Sequence, residues 1–337
     1  MTATKANHQS VTTTLAYLLT APLGYLLWSY IAQVLAPFNN HTRLQCRNPA
    51  FLASTYDAPA FLPSLLNRVG CVLVHFCSHA INEAAPLTLV LIGAATAAFA
   101  SMSIECARRG GGLGLSLYTG ILLLGGNIIG AGIMFPLLWV PVYGVCSSKY
   151  KPQPIHHARI LGVGLGAVFG QCVTPVLMLT VPTRSMWQHN IIGAFLISPL
   201  VYTAFECFVP LIASQLTKDQ KQQESIQHSR DNLRTLWACL GTLFMLMHYI
   251  LLIRYYGIWN KHWYNDPITF MLVMDISAVV GTMAYWAGIE DGFKRGTLFL
   301  LVSSLFLGPG AGIAAYKWKR EGRIADEYQQ QQQLKKA

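Results

Sequence analysis

The sequence predicts an all-α fold: a polytopic transmembrane helical bundle of about eight spanning helices with one interfacial amphipathic helix. Three observations predict it. Of 337 residues, 53% are apolar and only 11% charged, against about a quarter charged in a soluble domain. The charge deficit is concentrated, so that stretches such as 84–105 and 297–315 are almost free of charge inside and end in polar clusters. Runs of about 20 apolar residues, rising 1.5 Å per residue as a helix, match the roughly 30 Å hydrocarbon core of a bilayer. The pattern repeats along one chain and leaves no room for a separate soluble domain, so residues 1–337 read as a single membrane domain.

Taken in order, the spans are residues 13–36, 85–106, 115–143, 158–181, 190–213, 233–256, 267–287 and 297–318. The first has a long apolar run and no basic lead-in beyond Lys5, so it reads as a retained helix and not a removable signal peptide. Residues 62–81 carry Asn67, Arg68, His75 and His79, each costly in hydrocarbon. That segment reads as an amphipathic helix lying in the interface or capping a cavity, with a ninth span as the alternative. The third span holds Pro136 and Pro141, where a helix can open if neighbours satisfy the freed backbone groups. In the fourth, Gly162, Gly166 and Gly170 recur every four residues and make a smooth face for close helix packing. The same segment formally reads G-x-G-x-x-A, but a dinucleotide site needs a strand before it and a soluble βαβ unit. Residues 322–337, with five consecutive glutamines, read as a disordered polar tail.

The formal charge of +10 does not indicate a nucleic-acid partner. Its basic residues sit in short clusters between spans (Arg108 and Arg109, Lys149 and Lys151, Lys317 to Arg323), as headgroup anchors do, and no basic module stands apart. With eight spans, the 24 Lys and Arg divide equally between the two sides, so the positive-inside rule is silent. Asn40 begins a glycosylation sequon in the first long connection, which with the lysine-ended tail hints at cytosolic termini and an endoplasmic reticulum membrane. The eight cysteines show no zinc spacing. Cys46, Cys71 and Cys77 share one connection, where a disulfide requires that the region be lumenal.

Two carboxylates fall well inside spans: Asp275, midway through the seventh, and Glu206 in the fifth. A low dielectric favours the neutral acid over the carboxylate, and an acid that keeps its proton can donate it. The alternative role for each is to tie helices together. Asn127, Gln171, Tyr202, His248, Tyr285 and Trp286 also lie within spans and are candidates to line a substrate pocket, although such groups often serve as interhelical hydrogen bonds. His75, His79 and Glu83 share a helix face at metal-binding spacing, but only the His156-His157 pair accompanies them, so no metal is expected. Many of the eight Trp, 15 Tyr and 15 Phe, such as Trp259, Trp263 and Tyr264, fit interfacial belts; those within spans could stabilise a cation.

The long first connection with its amphipathic segment, the proline-rich stretch from Phe135 to Tyr143, Glu206, Asp275 and the Tyr-Trp-Ala-Gly-Ile-Glu-Asp-Gly segment from Tyr285 to Gly292 together resemble the fungal membrane-bound terpene cyclases of the ascofuranone and macrophorin pathways. The resemblance implies a class II cyclisation. An acid protonates the terminal alkene or epoxide of a farnesyl chain on a polyketide-derived ring, and the cation is quenched by successive double bonds. It implies a small prenylated substrate, a lipid bilayer and upstream pathway enzymes as partners, and no cofactor, since no diphosphate leaves. The assignment of Asp275 and Glu206 as acids rests on their burial, not on the resemblance. Two other readings are a transporter or lipid-binding protein, for which no convincing internal repeat is seen, and a membrane sterol isomerase, whose hydropathy layout should be shorter.

Overall fold

The computed structural model describes residues 13–55, 64–108, 113–147, 154–216, 226–255 and 266–336. Those residues are overwhelmingly helical and include no strand. In chain order the helices are α1 (Thr13–Gln45), α2 (Pro49–Thr55), α3 (Ser64–Glu83), α4 (Ala85–Arg108), α5 (Leu113–Ile129), α6 (131–147), α7 (His157–Thr180), α8 (Met186–Leu216), α9 (Ile226–Tyr255), α10 (Pro267–Asp291), α11 (293–307) and α12 (Pro309–Lys336). Seven of them, α1, α3, α4, α7, α8, α9 and α10, are long and apolar enough to cross a membrane. The chain is an integral membrane helical bundle. Among the described residues α4 is its most buried helix, with Ala94, Ala97, Ala98, Ala100, Met102 and Ile104 all sealed from solvent. Small residues there let neighbouring backbones come close.

Two expected spans are not continuous. The third breaks at Gly130, with φ 119°, and the eighth at Gly308, with φ 91°. At both, the chain reverses. Met134 packs back on Gly125, where a Cβ would come within 2.5 Å of its terminal methyl, and Gly312 lies against Ser304. A third reversal, at Gly292 with φ 80°, joins α10 to α11. An L-residue with a side chain is strained at such φ values, which is why glycine stands at each. The prolines expected to open the third span do not do so. Pro136 sits in a π-helical turn, Phe135–Trp139, and the helix continues through it to Ser147.

The reversals decide which end of the bundle each segment reaches. Thr119 and Gly120 of α5 lie beside Cys106 and Thr203, and Tyr143 and Gly144 of α6 lie beside Tyr17. Both arms of the α5–α6 hairpin therefore end beside the start of α1 and the end of α4. The α11–α12 hairpin returns to that same end, where Lys317 meets Glu105. The expectation of headgroup anchoring for Lys317 to Arg323 is thus corrected. Lys317 and Arg320 are buried in an ionic cluster, because partners distant in sequence fold onto them. Lys317 Nζ donates to Glu105 at 2.5 Å, and Arg320 bonds both Glu105 and Glu290, the latter at 2.6 Å. Arg323 reaches Asp291 at 2.5 Å, and Arg108 bonds Glu321. The expected end-caps Glu105 and Glu290 belong to this cluster, and Glu290 also accepts from Tyr17 (2.5 Å) and Tyr143 (3.0 Å).

Other expectations are settled by packing. Gly162, Gly166 and Gly170 do form the predicted smooth face, set against the backbone of Phe205 and Tyr202 on α8. The predicted disordered tail is instead helix, since α12 runs through the glutamines to Lys336. The segment expected to be interfacial forms α3, which meets α4 across the single residue Ala84 and is tied to the end of α1 by a Cys46–Cys71 disulfide. Trp259, Trp263, Tyr264, Lys149, Lys151 and Arg109 lie outside the described residues.

Glu105→Gln removes the carboxylate shared by Lys317 and Arg320 and leaves Lys317 buried beside a neutral amide, while Arg320 keeps Glu290. Breaking a buried pair in this way costs about 3–5 kcal/mol, so the variant is expected to lose thermal stability in detergent, read by the temperature at which half the protein aggregates. An unchanged midpoint would show that the cluster is not structural.

Candidate functional site

A cavity of about 340 Å³ lies between α1, α3, α4, α7, α8, α10 and the tip of the α5–α6 hairpin. That volume falls at the lower end of the roughly 300–1,000 Å³ usual for small-molecule pockets. Its wall is mainly apolar. Ile31 and Leu35 come from α1, Ile92 from α4 and Leu272 from α10, while Trp28, Phe76 and Phe195 present aromatic surface. From α3, Phe76, Cys77, Ala80 and Ile81 cover it, so this helix caps a cavity as one of its two expected placements anticipated.

Three of the expected site residues meet here: Asp275, Asn127 and Gln171. Asp275 is 1% exposed and lies eight residues, about 12 Å, along α10. It sits against the hairpin tip. Gly132 N–H donates to its Oδ1 at 2.6 Å. The fit requires glycine on both sides of the break, since a Cβ on Gly130 would stand 3.1 Å from Oδ1 and one on Gly132 only 2.6 Å. A new helix begins at Ala131, and its first N–H groups have no carbonyl a turn earlier to accept them. The Asp275 carboxyl oxygen supplies that acceptor.

The remaining polar atoms face inward from two walls. Asn127 spends its amide N–H on the Phe195 carbonyl at 3.0 Å, and Gln171 donates to Ser198 Oγ at 3.1 Å. This fixes each side chain by its amide nitrogen, while the Asp275 carboxyl accepts from the backbone N–H groups of Gly132 and Ala131. No Lys, Arg or His lines the described wall. The arrangement is an apolar chamber with one carboxyl group and two fixed acceptors.

The other expected site residues are elsewhere. Glu206 is fully buried, but Arg159 donates to it at 2.8 Å and Ser103 at 3.1 Å. It is an ion-paired strut between α7, α8 and α4 and does not line the cavity with Asp275. Tyr202 belongs to the same group through its bond to Ser103 (3.0 Å). Trp286 packs in an aromatic cluster with Trp139, Tyr143 and Tyr316, with Lys317 4.9 Å from its ring centre. Tyr285 donates to the Ala16 carbonyl at 2.8 Å. His248 lies under the second hairpin tip, against Gly308. Asn40 is exposed but helical, in the last turns of α1. His75, His79 and Glu83 are engaged separately, stacked on Phe38, paired with Asp266 (3.4 Å) and paired with Arg184 (2.7 Å).

What sequence reasoning missed at this site is the hairpin tip, Gly130 to Gly132, and the aromatic contribution of Trp28, Phe76 and Phe195. The tip's only signal was the glycine pair Gly126 and Gly130 ahead of a proline-rich stretch. Asp275→Ala leaves the buried Gly132 N–H without an acceptor, at a cost of about 1–3 kcal/mol, whereas Asp275→Asn keeps an oxygen there. A thermal-shift comparison is expected to rank the alanine variant below the asparagine variant. No known family, curated protein or solved structure was found to match this chain.

Proposed function

We propose that this chain is a membrane terpene cyclase, working in the endoplasmic reticulum on a linear farnesyl chain attached to a polyketide-derived ring.

 The observation that carries the proposal is a carboxyl group with no basic partner on the wall of an apolar cavity. The reaction is an isomerisation. The O–H bond at Asp275 Oδ2 breaks as a C–H bond forms at the terminal alkene carbon, leaving a tertiary cation; each neighbouring double bond then attacks in turn. A final C–H bond gives up its proton to a base, so no oxidant or reductant is consumed.

Three features support this reading. The Gly132 N–H is in place before the reaction and stabilises the carboxylate that the proton leaves behind. The aromatic faces of Trp28, Phe76 and Phe195 can stabilise a cation without trapping it, since they offer no lone pair as reactive as water. The mainly apolar wall keeps out the water that would quench the cation early. Glu206, bound to Arg159, is assigned to holding helices together and takes no part in proton transfer.

The transporter or lipid-binding reading has one observation in its favour. Helices broken near the middle of a bundle, with a helix N-terminus at the break, are found at transporter binding sites. At Gly130, however, the helix start already holds a carboxyl group of the protein itself.

The test is to express the chain in microsomes, supply farnesylated phenols and their epoxides, and look for products of unchanged mass and altered retention. Asp275→Asn preserves the oxygen at Gly132 but carries no transferable proton. Loss of general acid catalysis typically costs about 10²–10⁴-fold, and product formation is expected to fall by that much with expression unchanged. Glu206→Gln is expected to act through stability alone. Turnover by Asp275→Asn at the parent rate would refute the assignment, and net uptake of the substrate into sealed vesicles without conversion would favour transport.

A further inference from the structure

We infer that the cavity is served from the exoplasmic leaflet: the ionic end of the bundle faces the cytosol, and a lipophilic ligand without an anionic group reaches Asp275 sideways, past Trp28 and Ala32 of α1 and the tip of α5. The inference does not depend on cyclase chemistry and holds equally for a binding protein.

Orientation follows from the hairpins. In a drawing with eight continuous spans, Lys and Arg balance. The reversal at Gly130 moves everything from α6 to α10 to the opposite side of that drawing, and the reversal at Gly308 returns α12 to the ionic end. Among the described residues, five Lys and Arg then belong to the end away from the ionic cluster: Arg43, Arg47, Arg68, Arg184 and Arg254. The other 12 described ones belong to the ionic end. A more than twofold excess is the bias that sets cytosolic orientation. The Cys46–Cys71 disulfide is an independent indication, because it lies at the end with fewer charges and disulfides persist in oxidising compartments.

The cavity belongs to the exoplasmic half. Thr88 to Ala95 are in the first half of α4, which starts at that end, and Met271 to Asp275 are in the first half of α10, which starts there too. Gln171 and Met178 are in the second half of α7, which ends there. Toward the cytosol the bundle is closed by Phe99, Phe135, Trp139 and Trp286, each no more than 2% exposed, with the ionic cluster beyond them. Toward exoplasmic water, α3 covers the cavity and the disulfide tethers it. The exposed lining side chains are on the flank: Trp28 is 45% exposed, Ile128 44% and Ile129 42%. That flank faces lipid, so a ligand already dissolved in the bilayer can enter without crossing water. An anion would be buried here with no cation on the described wall and beside Asp275, which is costly.

Orientation is tested in sealed microsomes with a membrane-impermeant maleimide and two single-site variants at exposed positions, Thr183→Cys at the exoplasmic end and Ser214→Cys at the ionic end. Above the parent background, Ser214→Cys should label in intact vesicles and Thr183→Cys only after detergent. The reverse pattern would overturn the orientation. The route is tested through Cys77, a free thiol on the cavity wall, with pyrene-maleimide as the lipid-soluble probe. Ala32→Trp should slow its modification by about tenfold, equivalent to roughly 1.4 kcal/mol of barrier, and Trp28→Ala should accelerate it. Rates unchanged in both variants, or modification of Cys77 by the impermeant reagent in intact vesicles, would overturn the lateral route.

Discussion

A chain that turns back inside a membrane has no water to satisfy the backbone groups it exposes, and this bundle meets that constraint at Gly130 with the side chain of Asp275. The new helix starting at Ala131 presents N–H groups that would otherwise be bare, and Gly132 N–H donates a hydrogen bond to Oδ1 at 2.6 Å. The glycines allow the approach, the carboxylate makes it stable, and the space left beside the tip is the cavity. Architecture and candidate chemistry therefore share one contact. The same carboxyl group that permits the reversal is the group available to a ligand, which constrains how far evolution could vary it without refolding the tip.

The two ends of the bundle solve different problems. At one, four basic groups (Arg108, Lys317, Arg320, Arg323) meet four acidic ones (Glu105, Glu290, Asp291, Glu321). They neutralise one another and leave no charge over for a ligand. At the other, apolar side chains surround Asp275, with no basic group on the described wall. Glu206 shows the difference in miniature. It is as buried as Asp275, but Arg159 at 2.8 Å commits it to structure.

Hydropathy made the membrane class, six of the eight spans and the smooth glycine face of α7 legible in the sequence, because each depends on composition or spacing within one segment. Asp275 was legible for the same reason, as a carboxylate isolated in an apolar run. The reversals were not. An apolar run reads the same whether it crosses a membrane or turns back within it, and a single glycine at φ 119° leaves no polar gap in residues 115–143. The burial of Lys317 and Arg320 was hidden because Glu105, their partner, lies more than 200 positions earlier. Glu206 could not be told from a catalytic acid without knowing that Arg159 folds beside it.

The cap over the cavity is fixed at two points. Ala84 joins one end of α3 rigidly to α4, with Thr88 bonding back to the Ala80 carbonyl across the joint, and the disulfide pins Cys71 to the end of α1. A helix held at both ends behaves as a beam and not as a door: it can bow or rock by small amounts but cannot swing clear. Traffic of any bulky molecule through that roof would require the helix itself to unwind, so the roof can shape what the cavity holds without controlling when it is filled.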